Sequence, residues 1–285
     1  MPELPEVETI TRQLDKMIAG KQITDFEVLN LSSFVGNASE LIGQEIVSVS
    51  RRAKVVIIEL SSGKYLIFHL KMTGQLILID HKMRIAGGHA DHEWHARLPT
   101  KHTRLIFTFD GDIKLYFNDL RKFGWCKLID KKSLDLYFSK YGPDAYPDID
   151  LDKFKNRGKR MPKSAIKKFI LDQSVISGVG NIYADEALFD SRIHPKRLVS
   201  SITDTEWKTL ADNIERILAF AISKGGTTDS DYVNAYGKVG GMQDYLKVYH
   251  KVESNCPNNC GGKIERIVVG GRGTHYCPIC QKDPS

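Results

Sequence analysis

Four cysteines crowded near the end of this 285-residue chain limit its possible folds more than any other feature. Cys256 and Cys260 have three residues between them, Cys277 and Cys280 have two, and sixteen residues separate the pairs. Two thiolate pairs at the ends of a hairpin form a closed tetrahedral zinc site, and with no open coordination position the metal is structural. The residues between fit such a hairpin: Ile264 to Val269 and Thr274 to Tyr276 as strands, with Gly270-Gly271-Arg272-Gly273 as the tip. An arginine on a glycine tip is well placed to enter a groove. Cys126 stands apart on a strand and reads as a buried thiol, and an odd cysteine count argues against a secreted disulfide framework.

Length alone suggests two domains, each able to bury a core. The net charge of +6, from 41 basic and 35 acidic residues, leans toward a polyanionic partner. No apolar run approaches a membrane span and the N-terminus lacks a signal-peptide layout, so a cytoplasmic protein is expected.

The first half reads as one helix followed by β-structure. Val7, Ile10, Leu14, Met17 and Ile18 recur at three or four, so a helix follows Pro5 and ends at Gly20. Strands are predicted at Ile23 to Leu29, Lys54 to Leu60, Tyr65 to Leu70, Gln75 to Ile79, Arg104 to Phe109, Ile113 to Asn118 and Phe123 to Ile129. Many short strands with close turns suggest an antiparallel sandwich or barrel, and no glycine-rich phosphate loop points to a nucleotide-binding α/β fold. Lys54, placed inside a strand, is either a solvent-facing lysine or a phosphate contact. Met72, Arg121 and Phe123 sit on two predicted turns. They are either ordinary core and surface residues or, if exposed together, a wedge for separating bases. The histidine-rich stretch from His81 to His102 matches no coordination pattern and reads as a long surface loop.

A boundary follows near Tyr141-Gly142-Pro143. The run Lys153, Lys155, Arg157, Lys159, Arg160, Lys163, Lys167 and Lys168 carries no acid and reads as a solvated face or a DNA-backbone contact. Gly178-Val179-Gly180 then interrupts the helical pattern before a helix starting at Asn181, expected as its N-cap. The free N–H groups there suit a phosphate. A long amphipathic helix spans Asp204 to Ser223, and the glycine-rich stretch from Gly225 to Gly241 suits a substrate lid.

The opening Met1-Pro2-Glu3-Leu4-Pro5-Glu6-Val7-Glu8 is open to two readings. Proline before a run of acids begins many helices. With Met1 removed, however, Pro2 would carry a secondary amine able to attack an electrophilic sugar carbon and form an iminium ion. Glu3 could then move protons, with Glu6 supporting it.

These residues together resemble the formamidopyrimidine-DNA glycosylase family nearly end to end. The carriers are the opening Pro2-Glu3-Leu4-Pro5-Glu6, His69-Leu70-x-Met72-x-Gly74, Asp119-x-Arg121-Lys122-Phe123-Gly124, Gly178-Val179-Gly180-Asn181-Ile182-Tyr183-Ala184, and the Gly271-Arg272-Gly273-Thr274 finger with its cysteines. Leu4 is similar to the oxidised-purine branch, where the endonuclease VIII branch usually has glycine. The resemblance implies an α+β architecture: an N-terminal helix and antiparallel β-sandwich domain (1–140), a basic hinge (141–160), a helix–two-turn–helix domain (161–248) and a zinc finger (249–285). It implies a monomeric enzyme that excises 8-oxoguanine and formamidopyrimidines from damaged double-stranded DNA and nicks the strand by β,δ-elimination, with one structural Zn2+. Catalytic roles would fall to Pro2, Glu3, Lys54 and Arg272, with Glu6 in support. DNA contacts would be His69, Met72, Arg121, Phe123, Lys167, Asn181 and Tyr249. Thr227, Thr228, Tyr232 and Tyr236 would belong to the loop covering the lesion, and Cys256, Cys260, Cys277 and Cys280 would bind the metal. An endonuclease VIII-like enzyme and a non-catalytic zinc-ribbon DNA binder are the alternatives. The sequence departs from the family in the three-residue spacing inside the first cysteine pair, and the His81 to His102 stretch has no assigned counterpart.

Overall fold

A computed structural model describes residues 2–80, 84–89, 97–227, 232–233 and 241–283. The chain divides into two compact units, Met1–Lys140 with Ile222–Gln243, and Tyr141–Ala221 with Asp244–Ser285.

In the first unit, helix α1 (Leu4–Ile18) forms where the apolar spacing placed it, with Pro5 in its first turn. Val7, Ile10, Leu14 and Ile18 make its buried stripe. It is followed by β1 (Ile23–Val28), β2 (Phe34–Val35), β3 (Ile46–Arg52), β4 (Val55–Leu60), β5 (Tyr65–His69), β6 (Gly74–Ile79), β7 (Arg84–His89), β8 (Thr103–Phe109), β9 (Ile113–Asp119), β10 (Trp125–Ile129), helix α2 (Lys131–Phe138) and β11 (Tyr232–Val233). One sheet runs β1-β8-β9-β6-β7-β11 and the other β2-β10-β5-β4-β3. Residues of both sheets and of α1 share one apolar core, in which Phe68 of β5 meets Phe107 of β8 and Phe117 of β9 edge-on at 5.8 and 5.9 Å. The α+β sandwich is thus the observed architecture.

The second unit carries α3 (Leu151–Lys159), α4 (Ile166–Leu171), α5 (Asn181–Asp190) and the long α6 (Asp204–Ser223). Its helical core packs Phe154, Phe169 and Trp207 at centroid distances of 5.1 to 5.6 Å. The hairpin β12 (Glu265–Val269) and β13 (Arg272–Tyr276) closes the chain. No helix among the described residues is long and apolar enough to cross a membrane.

Four local expectations are corrected. Strand β3 escaped the sequence reading because serines interrupt its apolar alternation; its pairing with β4 supplies the missing order. Arg84–His89, read as loop, is strand β7, held by β6 despite a sequence poor in strand formers. His81, His92 and His95 lie outside the described residues. Lys54 is not inside a strand but in the tight turn between β3 and β4, after Ala53 at φ 55°. The basic run contains helix α3, whose N-cap Asp150 accepts from the Lys153 N–H at 2.9 Å.

Candidate active site and nucleic-acid interface

The start of the first unit is held closely. Pro2 is buried, and Glu3 and Glu6 are each 3 % exposed. One oxygen of Glu6 accepts the Glu3 N–H at 2.8 Å and the other accepts the Thr227 N–H, also at 2.8 Å. A single carboxylate therefore ties residue 3 to the residue that opens the expected lesion loop. Beside it, Glu8 receives Arg51 at 2.6 Å and Arg12 at 2.7 Å. Burial acts to raise the Glu8 pKa, but the hydrogen bonds and charges of those two arginines hold it below its ordinary value. Arg51 also donates to the Ala53 carbonyl at 2.8 Å, which braces the turn carrying buried Lys54.

His69 ends β5. Burial, followed by the positive charges of Lys71 and Lys54, lowers its pKa to about 3. Its Nδ1 accepts the Lys71 N–H at 3.1 Å, so the neutral ring carries its proton on Nε2 and offers a donor without a charge.

Met72, Arg121 and Phe123 meet at the surface. Met72 is 42 % and Phe123 53 % exposed, which excludes the core reading for both. An Arg121 guanidinium nitrogen lies 3.2 Å from the Met72 sulfur, and the guanidinium carbon sits 4.8 Å from the Phe123 ring centroid. Beneath them Asp119 is fully buried. Its carboxylate accepts the Thr73 hydroxyl, the Arg121 N–H at 3.2 Å and the Gly124 N–H at 2.6 Å. Arg104 grips the Asp119 carbonyl at 2.9 and 2.7 Å. Gly124 is needed for space, since a Cβ there would lie 2.8 Å from the Phe117 ring and 3.1 Å from the Asp119 carboxylate.

In the second unit, Gly180 is the N-cap of α5 and Asn181 its first residue. Asn181 therefore does not cap; its side-chain amide donates to the Gly273 carbonyl at 3.0 Å. Lys167, expected as a phosphate clamp, has no exposed side-chain surface and pairs with the equally buried Asp185 at 2.6 Å. Glu186, next along α5, accepts the N–H groups of Lys247, Val248 and Tyr249 at 2.8 to 3.0 Å. The Tyr249 ring stacks on His250 at 4.4 Å and meets His275 edge-on at 4.8 Å. Arg272 is exposed and begins β13 instead of lying in the tip.

The thiols of Cys256, Cys260, Cys277 and Cys280 lie within 4.8 Å of one another. Four convergent thiols fit Zn2+ as a closed site, which would tie the hairpin base to the chain before it. Inside the longer first spacing Asn259 adopts φ 52°, a left-handed conformation asparagine tolerates. Cys126 is fully buried, and burial raises its thiol pKa well above the ordinary value.

Comparison with known proteins agrees with this layout. The Formamidopyrimidine-DNA glycosylase N-terminal domain profile matches residues 1–126, its H2TH domain 142–232, and the zinc finger found in FPG and IleRS 256–282. The formamidopyrimidine-DNA glycosylase of Streptococcus mutans is 39 % identical over 290 residues, covering 99 % of this chain and all of that one. That of Ligilactobacillus salivarius is 38 % identical, covering 99 % of each. The chain belongs to the formamidopyrimidine-DNA glycosylase family.

Among solved structures, Lactococcus lactis Fpg bound to DNA containing an abasic site is similar with a TM-score of 0.87 at 35 % identity, covering 99 % of this chain and all of that one. The same enzyme with Fapy-dG DNA matches with a TM-score of 0.85. Within this family member the expected site residues fall into two groups, one per unit. Pro2, Glu3, Glu6, Lys54, His69, Met72, Arg121, Phe123 and Thr227 lie in the first, and Lys167, Asn181, Tyr249, Arg272 and the cysteines in the second. Tyr232 is placed by its backbone pairing with His89; Thr228 and Tyr236 lie outside the described residues. The sequence reading missed Asp119 as a support, although it heads the quoted motif. It also missed Thr73, Asp185 and Glu186. An acid next to a motif in an apolar helix was the available signal for the last two.

Proposed function

We propose that this chain excises oxidised purines, 8-oxoguanine and formamidopyrimidines, from duplex DNA and cuts the strand at the resulting site. With Met1 removed, the Pro2 nitrogen attacks C1′ and the glycosidic electron pair leaves with the base. The attacking amine gives up its proton, and the C1′–O4′ bond then breaks with O4′ taking a proton. The iminium ion so formed acidifies the C2′ hydrogen and then, through the conjugated product, the C4′ hydrogen, so the 3′ and then the 5′ phosphate leave. Glu3 moves protons at the sugar, Glu6 fixes the backbone of residue 3, and Lys54 donates a proton beside the phosphate. The base must leave the stack first, at a cost of a few kcal/mol. Met72, Arg121 and Phe123 fill the gap, with Arg121 facing the orphaned cytosine, while His69, Asn181, Tyr249 and Arg272 hold phosphates. The loop from Thr227 to Tyr236 covers the extruded base. The one observation that carries this reading is the exposed Met–Arg–Phe cluster built over a buried carboxylate, because that support holds two large apolar side chains and a guanidinium together in solvent, where they can enter a base stack. The enzyme acts as a monomer and, needing chromosomal DNA, works in the cytoplasm.

Borohydride trapping on an 8-oxoguanine:cytosine duplex is the test. A covalent adduct that disappears in Pro2→Gly is expected, and undiminished cleavage by that variant refutes the nucleophile. Faster excision of thymine glycol than of 8-oxoguanine would move the chain to the endonuclease VIII branch.

A further inference from the structure

The zinc site holds only one end of the β12–β13 hairpin. Arg272 stands at the other end of β13 from Cys277, and a two-stranded hairpin is marginal without further support. We propose that Asp185 is a positioning residue that sets where Arg272 meets the DNA backbone; this rests on the function proposed above.

The connection runs through named atoms. One oxygen of Asp185 pairs with Lys167 Nζ at 2.6 Å. The other accepts the His275 backbone N–H at 2.9 Å and lies 3.1 Å from His275 Nδ1. Lys167 Nζ in turn donates to the Thr274 hydroxyl at 2.8 Å and to the Gly273 carbonyl at 3.1 Å. The Thr274 hydroxyl donates onward to the Arg272 carbonyl at 3.0 Å. Asn181 adds a bond to Gly273 at 3.0 Å. Thus each residue from Gly273 to His275 is fastened to α4 or α5, and the fastening ends on the main chain of Arg272, whose side chain stays exposed.

Asp185 and Lys167 are both fully buried, so the carboxylate is a counter-charge held against the ammonium away from water. A buried ammonium that loses the carboxylate held against it draws in water or shifts toward solvent. Either movement withdraws its bonds from Gly273 and Thr274, and the arginine loses its fixed origin. The same carboxylate also receives the only main-chain N–H that β13 gives to α5 in the hydrogen bonds of the described residues. Asn181, at the glycine-rich start of α5, shares Gly273 with Lys167, so the two predicted phosphate contacts Asn181 and Arg272 are locked to one another through a single strand.

Asp185→Asn keeps the shape and removes the charge. Measured on full-length zinc-loaded protein, KM for an 8-oxoguanine duplex should rise about tenfold while kcat falls no more than twofold, the pattern of lost binding rather than lost chemistry. The same substitution made in Arg272→Ala should change KM by less than about twofold, because the residue it positions is gone. His275→Phe, which keeps the backbone bond, should give a smaller rise with the same dependence on Arg272 and serves if Asp185→Asn does not fold. An unchanged KM in a folded, zinc-loaded variant overturns the proposal, as does an equal rise with and without Arg272. Wild-type protein assayed alongside separates the two ideas: if it neither excises nor traps, the functional reading fails. An active wild type with an unaltered variant defeats only the role of Asp185.

Discussion

Two buried aspartates support the two regions proposed to meet DNA, and they do so differently. Asp119 lies beneath the Met72–Arg121–Phe123 cluster and is surrounded by neutral donors: the Thr73 hydroxyl and the N–H groups of Arg121 and Gly124. Asp185 lies behind the finger and faces a buried lysine. The turn after β9 curls back on its own aspartate, so main-chain donors within five residues reach the carboxylate. The finger comes from a distant part of the chain, ninety residues from Asp185, and a charged side chain bridges that gap. Local turns can be stiffened by backbone hydrogen bonds; joining remote segments here uses a buried ion pair, which gives specificity but leaves a large penalty if one member is lost.

The largest effect should test that contrast directly. Asp185→Ala removes the buried carboxylate paired with Lys167 and should cost about 3–5 kcal/mol in urea unfolding of the second unit, with part recovered when Lys167→Met is added. Asp119→Ala strands only neutral donors and should cost about 2–3 kcal/mol. The opposite ranking would break the comparison. Phe123→Ala and Arg121→Ala, both at exposed side chains, should change stability by less than about 0.5 kcal/mol yet slow excision of 8-oxoguanine measurably in single-turnover assays. A large stability loss would show that the cluster serves the fold.

The smallest effect concerns His69. Its folded pKa, about 3, lies below the ordinary 6.5, so folding favours the neutral ring. Its contribution to stability is therefore complete above pH 6.5 and is lost as pH falls toward 3. An NMR titration should find no inflection for His69 between pH 5 and 8, and one near 6.5 would show a charged phosphate clamp instead.

Much of this was legible in the residues. Helix α1 followed from apolar spacing, and β4, β5, β6, β8, β9 and β10 from short apolar runs between turns, because those signals are local. Strands β3 and β7 were not legible, since serines and glycines carry little preference and only a neighbouring strand orders them. The exposure of Met72 and Phe123 was also undecided, as the same residue types fill cores.

By itself the sequence determined the four-cysteine cluster, the presence of a helix next to Pro5 and the motif order, all set by spacing along the chain. Only the tertiary structure decided which charges are hidden. Lys167 and Lys168 are adjacent and chemically identical, yet one is fully buried against Asp185 and the other exposed. A charge enters a protein interior only where a partner waits, and that partner is brought by folding from elsewhere in the chain.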